Sequence, residues 1–94
     1  MGPPYIKQRR RDRLDPKLAE LWDVIRKGHS VNADINYCFF KLLVTLRARY
    51  GDDKYLVLSY IHAIPVDVAN EFQRRFFDPY EDKKIVENGE VTPL

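Results

Sequence analysis

Ninety-four residues, 45% hydrophobic and 32% charged, suffice for one compact domain but not for two. Sixteen Lys and Arg against fourteen Asp and Glu leave a net charge of +2, which excludes a histone-like DNA neutraliser. The apolar share excludes a wholly disordered chain, and no stretch approaches the roughly 18–20 apolar residues of a membrane span.

Charge is unevenly spread. In residues 1–13, Lys7, Arg9, Arg10, Arg11 and Arg13 face Asp12 alone, which predicts a basic N-terminal arm over 1–14. No apolar core follows these basic residues, so a secretory signal is not expected. The single Cys38 has no internal disulfide partner and fits a reducing cytoplasm.

The helical domain is expected over 15–89. Asp15-Pro16 reads as its start, with Asp as cap and Pro in the first turn, where a missing N–H costs nothing. Leu18, Leu21, Trp22 and Ile25 then recur at helical spacing, and Gly28 offers a left-handed close. These signals predict a helix over 16–27. A second helix over 33–50, capped by Asn32 or Asp34, carries Ile35, Cys38, Phe39, Leu42, Leu46 and Tyr50 on one stripe, and Gly51 ends it. Tyr37, Phe40, Leu43 and Val44 add a second apolar flank. A helix this apolar is either central in its own domain or partly buried by another copy of the chain. The small domain favours the second, with Tyr37, Phe40 and Val44 as the expected self-association face.

Asp52 or Asp53 would cap a third helix over 53–64. Pro65 predicts a kink or a break near Ile64, with a fourth segment over 66–77 carrying Val68, Phe72 and Phe76. Asp78-Pro79-Tyr80-Glu81 repeats the start signal for a short helix over 79–87, closed by Asn88-Gly89 and followed by a loose tail over 90–94. Residues 78–94 together form an acidic tail, with Asp78, Glu81, Asp82, Glu87 and Glu90 against Lys83 and Lys84. Glu81 and Asp82 would complement the positive end of that helix. The expected fold is an all-α bundle of three to four helices completed by self-association, as a homodimer or larger homo-oligomer.

No enzymatic chemistry stands out. His29 and His62 lie far apart and no HExxH or CxxC spacing occurs, so neither a metal nor a cofactor is expected. Cys38 sits in the densest apolar stretch and reads as a packed thiol. The arginines are the better candidates. Arg9, Arg10, Arg11 and Arg13 cluster in the arm, and Arg74 and Arg75 lie late in the third helical region. Guanidinium presents a charged planar fork suited to phosphate or carboxylate, and Tyr5, Phe77 and Tyr80 could stack on a base or anchor a partner. The competing account pairs Arg74 and Arg75 with Glu71, Asp78 or the acidic tail.

A series of short blocks runs the length of the chain: Pro4-Tyr5-Ile6-Lys7, Arg13-Leu14-Asp15-Pro16, Asn36-Tyr37 with Lys41-Leu42-Leu43, and Glu71-Phe72 with Arg74-Arg75. It closes on Pro79-Tyr80-Glu81-Asp82-Lys83-Lys84-Ile85 with Glu87-Asn88-Gly89. In these blocks the sequence resembles an uncharacterised family of small phage, prophage and bacterial helical proteins, and only around Pro65 does it depart from the family pattern. The resemblance implies a short helical protein carried on phage or mobile DNA and assigns no catalytic residue. The expectation is therefore a non-enzymatic binding protein that holds a nucleotide or nucleic acid through its arginines. One alternative is a module that inhibits or redirects a host protein. Another is a divalent-cation-dependent nucleotide enzyme using Glu71, Glu81 and Asp82.

Overall fold

The computed structural model describes residues 5–91 and is all-α, a small helical bundle in class. Helix α1 spans Gln8–Arg26, α2 Val31–Tyr50 and α3 Tyr55–Phe72; a π-helical turn, Gln73–Phe77, leads into α4, Asp78–Asn88. The chain divides into two compact units, one comprising Tyr5–Ile61 and the other beginning at His62. Residues 1–4 of the expected arm and 92–94 of the expected tail lie outside the described residues.

The largest correction concerns the arm. α1 begins at Gln8 rather than at Pro16, which lies inside the helix. Lys7 is extended (φ −65°, ψ 151°), and its carbonyl accepts the N–H groups of Arg10 at 3.0 Å and Arg11 at 3.2 Å. Gln and Arg are good helix formers, and Gln8 Nε2 donates to Asp12 Oδ1 one turn on at 2.8 Å. These residues extend the helix ahead of the Asp-Pro pair, so Asp15 caps nothing. At its other end, Lys27 N–H reaches Val24 O and Gly28 N–H reaches Ile25 O. Gly28 is not in the left-handed region, which only Gly51 and Gly89 occupy among the described residues. A Cβ at residue 28 would stand 3.1 Å from Asp34 Oδ2, a contact that a small shift of the Asp34 side chain would relieve.

Within Tyr5–Ile61, α1 packs on α2. Ile25 and Ile61 are the buried apolar side chains among the described residues. On α2 the half-buried positions Val31, Cys38, Phe39, Leu43 and Leu46 share one side, and Tyr37, Phe40 and Val44 lie exposed on another. α2 starts at Val31, two residues before the expected 33, with Ser30 as its flanking residue and no side-chain cap. Gly51 ends it as read, at φ 81°, with its N–H on Arg47 O.

Asp52 and Asp53 shape the turn that follows. Asp52 Oδ1 accepts the Lys54 N–H at 3.1 Å, and α3 starts only at Tyr55. Asp53 is not a cap: its carboxylate accepts both Nε and Nη2 of Arg47, the first at 2.6 Å. This fork ties the end of α2 to the loop and shapes a 260 Å³ depression lined by Arg47, Ala48, Gly51, Asp52 and Asp53. Tyr50 meets Tyr60 edge-to-face at 6.2 Å across the same turn.

Of the kink or break expected at Pro65, the break is absent, since α3 is one α-helix from Tyr55 to Phe72. Proline at 65 removes a single donor, the one that would serve the Ile61 carbonyl, and helical turns on both sides outlast that loss. The separate helix over 79–87 is likewise corrected. α4 has no free start: Phe77 is already helical, no side chain caps it, and Asp78 N–H bonds Gln73 O five residues back. Pro79 accounts for the π turn. In an α-helix its ring would strike the Arg75 carbonyl four residues earlier, and an i→i−5 turn moves that carbonyl aside. Asn88-Gly89 closes α4 as read, with Gly89 N–H on Ile85 O at 2.8 Å.

The Arg47–Asp53 fork has a pH signature. Hydrogen bonding to Arg47 is the main cause that lowers the Asp53 pKa, and the same bond raises that of Arg47. A carboxyl whose folded pKa is depressed contributes stability above its unfolded value and loses it as pH falls through the folded one. NMR titration should place the Asp53 midpoint below the ordinary Asp range, and Arg47→Ala should return it there.

Candidate functional site

Extending α1 to Gln8 changes what the basic residues are: they are positions on a helix rather than points on an arm. At about 100° per residue, Arg9, Arg10, Arg13 and Lys17 fall within an arc of about 100° on α1. Leu14, Leu18, Leu21 and Ile25 lie on another side of α1, where Ile25 is buried and the three leucines are exposed. Arg11 falls off the stripe, its Nε donating to Ile6 O at 2.8 Å. Lys17 was not anticipated as part of the site. Its signal, the 9–13–17 spacing, has meaning only once the segment is helical.

The electrostatics of this stripe run against local stability. The first turn of a helix favours anions because its backbone N–H groups point outward, yet the first turn of α1 has no acidic residue and carries arginines. Asp12, the one carboxylate among them, is hydrogen-bonded to Gln8. Lys17 stands 3.6 Å from Glu20, both highly exposed. Arg9, Arg10 and Arg13 form no ion pair or side-chain hydrogen bond among the described residues.

The arginines of the second unit are differently placed. Arg74 donates through Nε at 2.7 Å and Nη2 at 2.5 Å to Glu71 Oε1, and the Glu71 side chain is only 12% exposed. The Arg75 guanidinium lies 5.8 Å from the centre of the Phe76 ring. Of the six predicted arginines, Arg9, Arg10 and Arg13 share the α1 stripe and Arg11 turns to backbone, while in the other unit Arg74 and Arg75 have neighbours of their own.

Phe77 belongs to a cluster that the sequence did not reveal. Phe72 packs on Phe76 at 4.9 Å and on Phe77 at 6.4 Å, and all three rings are more than half exposed. In an α-helix, residues 72 and 77 would lie about 140° apart. The π turn winds an additional residue into one turn and brings Phe77 round to Phe72. Tyr80 points elsewhere, with Lys84 Nζ 5.6 Å from its ring centre, and Tyr5 is half exposed just ahead of α1. Among the described residues, no three His, Cys, Asp or Glu side chains are grouped to hold a metal ion. No described helix is long and apolar enough to cross a membrane.

Residues 3–91 match a family model described as a domain of unknown function, DUF6899. The chain belongs to that family. No curated protein and no solved structure matches it. The match spans nearly the whole chain, so the α1 stripe, the π turn and the phenylalanine cluster all lie within the family domain.

The phenylalanine cluster depends on the π turn, and the turn on Pro79. Pro79→Ala restores the N–H and removes the ring clash, so the segment should relax to α-helix. The expected result is a higher melting temperature together with loss of the Phe72–Phe77 ring contacts in NOE spectra.

Proposed function

We propose that this is a non-enzymatic, phage-type binding protein whose α1 stripe holds an anionic partner, a nucleotide or a nucleic acid. One observation carries the reading: Arg9, Arg10 and Arg13 share a helix face at the positive end of the helix dipole, with no carboxylate partner among the described residues. Repulsion from the dipole costs an exposed cation about 0.3–1 kcal/mol in a first turn. A stability-driven sequence would place Asp or Glu there. An external phosphate reverses the sign of the interaction, because guanidinium forks and helix N–H groups both favour it. Lys17 extends the stripe by one further turn along the same face.

Arg74 is not part of this site, since Glu71 already occupies its guanidinium. A second reading rests on the phenylalanine cluster. Three contiguous rings exposed beside Arg75 have the composition of an interface anchor, as expected of a module that docks on a host protein.

Fluorescence anisotropy with a single-stranded oligonucleotide tests the first reading. With three arginines on phosphates, the affinity should fall with salt at a log–log slope of about −2, from roughly −0.7 per contact. Arg10→Ala should weaken binding and flatten the slope by about one contact. Arg74→Ala should leave both unchanged. Binding that is independent of salt, or equal losses at Arg10 and Arg74, would contradict the assignment.

A further inference from the structure

α4 presents a charge pattern opposite to that of α1. Asp78, Glu81 and Asp82 fall within an arc of about 100° on α4, with the exposed Ile85 between them. None of the three forms an ion pair among the described residues, whereas Glu87 on another side is paired with Lys84 at 3.1 Å. The ordinary reason for acids in a first helical turn is to neutralise exposed N–H groups at a free helix start. That reason is missing here, because Phe77 is already helical and the Asp78 N–H is bonded to Gln73 O. The chain therefore carries two short helical stripes of opposite sign, three arginines on α1 and three carboxylates on α4, neither explained by its own helix.

We propose that the two stripes are complementary halves of a self-association surface, with the α1 stripe of one copy docking on the α4 stripe of a second. Each copy offers one stripe of each sign, so in a pair of copies each stripe has a counterpart of opposite sign on the other. A second copy accounts for both stripes at once, whereas a polyanion accounts only for the arginines. The pairing goes beyond anion binding, since it requires no ligand other than the chain itself. It also makes an oligonucleotide and a second copy competitors for Arg9, Arg10 and Arg13.

Analytical ultracentrifugation of the full chain, freed of nucleic acid, tests this pairing. The wild-type protein should dimerise at low salt and loosen tenfold or more as ionic strength rises from about 0.05 to about 0.5 M, where the Debye length shortens from over 10 Å to a few ångströms. Arg10→Glu/Arg13→Glu and Glu81→Lys/Asp82→Lys should each sediment as monomers. An equimolar mixture of the two should recover the dimer, because both contacts of the mixed pair then join opposite charges. Circular dichroism checks that each variant keeps its helices. If a variant is not folded, the wild-type salt series decides alone. A wild-type protein that is monomeric at low salt, as pairing within one chain would give, overturns the proposal. So does a dimer indifferent to salt, or folded variants that stay monomeric when mixed.

Discussion

The constraint on which this molecule turns is electrostatic. Several guanidinium groups share the end of α1 whose backbone is already positive, and Asp12 is bonded to Gln8. Charges of one sign on one helical face repel each other and the dipole. Such an arrangement persists because other parts of the helix hold it. Ile25 is buried, α1 packs on α2, and Lys7 supplies the carbonyl on which the first turn closes. Consistent local choices stabilise a fold, and a local conflict of this kind marks the place where function sets the residue.

The two units manage their charges differently. In Tyr5–Ile61 the strong pairs are architectural: Arg26 and Lys27 share Asp23 at the end of α1, and Arg47 forks onto Asp53 at the end of α2. Both place cations at C-terminal ends, where the helix dipole welcomes them. In the unit from His62 onward, Arg74 is secured by the largely covered Glu71, and the π turn moves Phe77 beside Phe72. The stripes on α1 and α4 differ from these pairs in grouping three like charges on one helical face.

Much of the fold was legible in the sequence, and the misreadings share one cause. Gly51 and Asn88-Gly89 were read correctly as helix ends because a left-handed or open glycine closes a helix whatever precedes it. Asp15-Pro16 and Asp78-Pro79 were both read as helix starts, yet both lie where helix already runs. A cap followed by proline marks a start only if the preceding residues are not helical, and that depends on the Gln8–Asp12 bridge in one case and on the π turn in the other. For the site, residue types were legible and geometry was not. The arginines could be named, but their division into a stripe of three and three with other neighbours required the true start of α1 and the position of Glu71.

The central claim is that Arg9, Arg10 and Arg13 are turned to an anion outside their own chain. Proton exchange at the arginine Nε–H groups, followed by NMR, measures this directly, because Arg11, Arg26, Arg47 and Arg74 each have that group in a hydrogen bond. In monomeric protein the Nε–H groups of Arg9, Arg10 and Arg13 should exchange quickly while those four are slow, and a polyanion added at low salt should slow the three selectively. Exchange at Arg9, Arg10 and Arg13 as slow as at Arg47 before any anion is added would contradict the account.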